Sequence, residues 1–221
     1  MLGGCSRSSD DGSTGPTTIP TDVTAIDPTA STPPTTLAAE PLPRLVPIEA
    51  TTLGNGFRRS RDERTFAEID EAFTAQCPAL ARTRTRSEIA QRARFDFANR
   101  DPLPTVSHDV TVFADANAAA SVFNALASNQ MLRCLPKLVT SGGLQLGAVT
   151  TERVPVVDAG DATSALSLTG TSIAGGLASQ VRVELIVVVA GPVLDVFVLT
   201  SSDLFPFSDP ARDALVLATA R

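Results

Sequence analysis

The chain has 221 residues, of which 43% are hydrophobic, so one folded domain with an extension is the natural expectation. Its net charge of −6 counts against nucleic acid as a partner. One His excludes metal sites built on two or more imidazoles, so neither metal nor cofactor is expected, and the absence of Trp and Tyr removes the usual stacking platforms.

The N-terminal segment differs from the rest. Leu2-Gly3-Gly4-Cys5 has the form of a bacterial lipobox: an aliphatic residue, two small residues and the Cys that takes a thioether-linked diacylglycerol. Residues 1–5 are therefore expected to be a lipobox remnant, with lipidation at Cys5 and a start lying upstream, because no apolar leader precedes it. The alternative is a chance LGGC in a cytosolic protein. Residues 6–53 are rich in Thr, Ser and Pro, and eight of the sixteen prolines precede residue 51. So few large apolar residues cannot offset ordering entropy, and a disordered tether is expected. The bland reading is a low-complexity terminus without a role.

Residues 54–221 carry the folded domain. Thr65-Phe66-Ala67-Glu68 is a capping box, and Phe66, Ile69, Phe73 and Cys77 follow at helical spacing, predicting a helix over 66–76 that Pro78 ends. The residues 89–97 and 106–113 alternate, predicting two strands, the second placing His108 with Val106, Val110 and Val112. Asp115 caps a predicted helix over 116–129, with Cys134 after its end and Pro136 barring continuation. If Cys5 is lipidated, Cys77 and Cys134 remain as an even pair. In an oxidising compartment they form a disulfide; otherwise they are two separate buried thiols.

Residues 144–156, 163–169, 181–189 and 193–200 read as strands, the last two joined by a tight Gly191-Pro192 hairpin. With Ala190 opposite Val193, one hairpin face holds Val181, Val183, Leu185, Val187, Val189, Leu194, Val196 and Val198, and must be core. The other face mixes Arg182, Glu184, Ile186, Val188, Asp195, Phe197 and Leu199. It is either a half-covered ligand groove with Asp195 as polar anchor or a face sealed by the protein's own helices. In the plainest reading Asp195 faces solvent and pairs with Arg182. The candidate binding residues are Asp195, Phe197, Ile186 and His108, the last being either a strand-end His with one hydrogen bond or a pH-responsive group. The arginines between 58 and 100 are interleaved with acids and read as a solvated surface rather than a headgroup patch. Asp209-Pro210 opens a final helix with Ala211, Ala214, Leu215 and Ala218 on one face. The sum is α+β: a twisted antiparallel sheet with two to three helices packed on it.

Catalytic signatures are missing. Gly170-Thr-Ser172-Ile-Ala-Gly175 has one residue too many for a nucleophile elbow, and there is no phosphate-binding glycine loop. No catalytic residue is assigned.

The block Val110-Thr-Val-Phe113-Ala-Asp-Ala116, Ala120-Ser-Val-Phe123 and Cys134, with the later apolar hairpin and closing helix, resembles a recurrent pattern in actinobacterial sensor-domain-containing lipoproteins. These are similar to the extracellular domain of PknH-type mycobacterial serine/threonine kinases. Lys137 is the only lysine among eighteen basic residues, a coding bias in keeping with such a source. Gln130-Met131-Leu132-Arg133 stands where the family often has Trp, and the kinase domains carry more disulfides. The resemblance implies a non-catalytic sensor-like domain on the outer face of the plasma membrane. It would be held by an N-terminal lipid and bind a small apolar or lipid-like ligand or an envelope protein. The alternatives are an envelope or secreted enzyme and a structural envelope protein.

Overall fold

The structure, a computed structural model, describes residues 45, 48–54, 56–60, 65–85, 89–99, 103–174 and 177–219. The expectations for Cys5 and for the tether as far as residue 44 lie outside them. A 3-10 turn over Ala50–Leu53 leads into β1 (Arg58–Ser60), α1 (Phe66–Gln76), α2 (Pro78–Thr85), β2 (Ile89–Ala98) and β3 (Thr105–Phe113). Next come α3 (Ala116–Leu126), α4 (Asn129–Ser141), β4 (Thr150–Arg153), β5 (Ala162–Ala174), β6 (Leu177–Ala190), β7 (Val193–Ser202) and α5 (Asp209–Thr219). The seven strands form one antiparallel sheet in the order β1-β2-β3-β7-β6-β5-β4. The fold is α+β, with five α-helices around the sheet rather than two or three.

The sheet is covered on both faces. On one, Phe73, Leu80, Val122, Leu126, Met131 and Leu135 of α1–α4 form a core with Leu185, Val187, Val189 and Leu194 of the central hairpin. On the other, Leu215 and Val216 of α5 and Ile48 and Leu53 beside the 3-10 turn pack with Phe95, Phe97, Val106, Ile186, Val188, Phe197 and Leu199. The domain therefore starts before residue 54: Ile48 and Leu53 belong to its core, which shortens the expected tether.

Local chemistry explains most elements. The capping box at α1 is complete, Thr65 N–H donating to Glu68 Oε2 at 2.6 Å while the Thr65 hydroxyl accepts from Glu68 N–H. The β6–β7 hairpin has Ala190 opposite Val193, and Gly191 at φ 55° supplies the left-handed residue that the two-residue turn needs. Cys77 and Cys134 are bonded, with Cα atoms 5.9 Å apart.

Several expectations need correction. Pro78 ends α1 but also begins α2, in the first-turn position where a missing N–H costs nothing. The helix after Asp115 stops at Leu126, and Ser128 caps a second one, α4, through Met131 N–H. Cys134 lies inside α4 and Pro136 is accommodated within it, because burial of Met131, Cys134 and Leu135 together with the disulfide outweighs the lost backbone bond. Within 144–156 only Thr150–Arg153 is strand, pairing β5 at the sheet's edge. The α5 face is Arg212, Leu215 and Val216, not the predicted alanines, since Arg212 is drawn inward to the buried Glu184.

Candidate functional site

The expected site residues do assemble, but inside the core. His108 on β3 and Asp195 on β7 are 1% and 4% exposed, and a 2.7 Å hydrogen bond links His108 Nε2 to Asp195 Oδ1. The His108 ring stacks on Phe197, centroids 4.3 Å apart, and Ile186 is fully buried. This face is sealed by α5 and the segment around the 3-10 turn, so no groove opens here. The pairing of Asp195 with Arg182 is also corrected: Asp195 bonds His108 across the sheet, whereas Arg182 pairs with Glu184, which in turn meets Arg212 of α5. Paired and buried, the four residues are structural in their surroundings.

The opening lies on the opposite face. A cleft of about 420 Å³ runs between the sheet and the helices α1, α3 and α4, within the ordinary range for small-molecule sites, roughly 300–1,000 Å³. Its floor is graded across the strands. Over β6 and β7 it is apolar, with Val183, Leu185, Leu194, Val196 and Val198, roofed by Val122, Leu126, Met131 and Leu135. Over β2 and β3 it is polar, with Arg94, Thr105, Ser107, Asp109 and Thr111. The gradient follows from register. Arg94 opposes Asp109, which opposes Val196, which opposes Val187. One row away Asp96, Ser107, Val198 and Leu185 repeat the order.

The charges at the polar end are mutually engaged. Arg94 Nε lies 3.1 Å from Asp96 Oδ2 and its Nη1 3.4 Å from Asp109 Oδ2, while Nη2 donates to Ser107 Oγ at 3.1 Å. Arg92 reaches up to α1, donating to both oxygens of Asp70 at 3.0 and 2.9 Å, and its guanidinium stacks 4.0 Å over the Phe66 ring. The side chains of Arg92 and Arg94 are only 7% and 14% exposed, so the reading of this arginine run as solvated surface fails at these two positions. The missed signal was present. Arg92, Arg94 and Asp96 alternate on one hairpin strand, and Ser107, Asp109 and Thr111 alternate on the next, a pattern that stacks six polar side chains on one sheet face.

No helix among the described residues is long and apolar enough to cross a membrane. What fold and site define is a class: an α+β domain, helices on both faces of an antiparallel sheet, enclosing an amphipathic cleft. No protein-family model matches the chain, and no curated protein matches it either.

Proposed function

We propose that this protein is a lipid-anchored cell-envelope lipoprotein whose domain binds a small apolar or lipid-like ligand in the cleft beneath α1, α3 and α4. The observation that carries the reading is the cleft itself. An apolar floor and roof, with a few convergent polar groups at one end, is the usual composition of a small-molecule site. The disulfide agrees with an oxidising, extracytoplasmic compartment. The LGGC sequence followed by a Thr/Pro-rich stretch supports the anchor. The reading is non-catalytic: the buried His108 lies on the other side of the sheet from the cleft, held by Asp195.

Two experiments test it. Val196→Trp places an indole on the cleft floor and should abolish binding of an alkyl-chain probe while leaving the protein folded. Unchanged binding would remove the cleft as the site. Cys5→Ala, made in the natural gene, should move the protein out of the membrane fraction, and identical partitioning of mutant and wild type would end the anchor proposal.

A further inference from the structure

The cleft is amphipathic along one axis, and its polar end is electrically balanced. Two guanidiniums and two carboxylates, those of Arg92, Arg94, Asp96 and Asp109, meet there, each side chain no more than 16% exposed. Arg94 is shared between Asp96 and Asp109, and Arg92 lies within 3.9 Å of Asp109. Glu68, which also lines the cleft, is committed to the α1 capping box through Thr65. An entering carboxylate or phosphate would thus find its guanidinium partners already neutralised, and an entering ammonium would find its carboxylates in the same condition. Either ion would give up hydration with no uncommitted counter-charge to replace it.

Hydroxyl chemistry is in better supply. Thr105, Thr111 and Thr200 line the cleft, and their hydroxyls have no hydrogen-bond partner among the described residues. Thr105 and Thr200 face each other across β3 and β7, and Ser107 lies two residues further along β3. Each hydroxyl can both donate and accept, as can the hydroxyl of a neutral ligand.

We infer that the cleft selects neutral, hydroxyl-bearing amphiphiles, the head lying over β2 and β3 and the alkyl chain over β7 and β6 under α3 and α4. This rests on the binding reading above and names the chemistry of its ligand. A glycerol or sugar head on an alkyl chain fits; a free fatty acid does not.

The test compares three probes of equal chain length below their critical micelle concentrations: 1-monolauroylglycerol, laurate and dodecylammonium. Each is titrated into the full chain by calorimetry. Binding of the glyceride at least tenfold tighter than either ion supports the inference. Asp109→Asn removes one carboxylate from the balanced group and should shift preference toward laurate, shrinking the glyceride advantage over it several-fold. An ion that binds within tenfold of the glyceride, or better, overturns the neutral-head assignment while leaving the cleft a binding site. If no probe binds, both this inference and the reading beneath it fall. Should Asp109→Asn not fold, the three-probe comparison on the wild-type chain decides alone.

Discussion

Replacing Asp195 by Ala separates a structural carboxylate from a ligand anchor. In the fold the side chain lies within the sealed core and makes a 2.7 Å bond to the buried His108. The opposite ring nitrogen, Nδ1, has no partner among the described residues, so the mutation leaves the whole imidazole unpaired. A buried polar group stripped of its partner costs about 1–3 kcal/mol when neutral, and roughly 3–5 kcal/mol when a buried charge is left behind. For a domain of this size a loss of about 2–3 kcal/mol lowers Tm by roughly 4–12 °C. Replacing both partners by apolar residues, His108→Phe with Asp195→Val, removes the polar pair together and should recover much of that loss. Thermal unfolding of wild type, both single variants and the double variant closes the cycle. Ligand affinity should be the same in Asp195→Ala as in wild type at a temperature where both are folded, because the cleft is on the other face. A variant with unchanged Tm and weakened binding would refute the reasoning and return Asp195 to a ligand site.

The remaining predictions concern how the layers are tied together. The Cys77–Cys134 bond closes a loop with a sequence separation of 57; its loss in Cys77→Ser/Cys134→Ser should cost about 4 kcal/mol by the loop-entropy argument, read from denaturant midpoints. Glu184→Ala strands the buried Arg212 of α5 and should cost roughly 2–4 kcal/mol in the same assay, whereas Asp213→Ala, at the exposed end of that network, should cost about 1 kcal/mol or less. Gly160→Ala should destabilise by more than about 1 kcal/mol, since a Cβ there would run into the Val189 carbonyl and the φ of 58° disfavours any side chain. Unchanged thermal stability in Gly160→Ala would show that the β5–β6 connection relaxes freely.

Much of the fold was legible because local signals agreed with tertiary ones. The capping box, the alternation of β2 and β3 and the register of the valine-rich hairpin all describe elements whose buried face is visible in the sequence. α4 was hidden because Pro136 argues against a helix, and only packing against α1 with the disulfide overrides that preference. β4 is four residues long and mostly exposed, too short to show a period. Arg212 and Glu184 look like surface residues one at a time, and their burial depends on a pairing between elements 28 residues apart. The site was misplaced for a related reason. An apolar face around Asp195 resembles a groove until α5 and residues 48–53 are laid over it. The true cleft borrows its apolar half from the hairpin face that had to be core, because α3 and α4 cover that face only in part: Val196 and Val198 remain partly exposed.

The central claim is that the cleft between the sheet and α1, α3 and α4 holds a lipid-like ligand, and native mass spectrometry of the full chain purified from its own host tests it most directly. The account predicts a non-covalent adduct of lipid-like mass, one per chain, which disappears under denaturing conditions, persists in Asp195→Ala and is absent from Val196→Trp. A chain that carries no such adduct, or a Val196→Trp variant that retains it in full, would contradict the account.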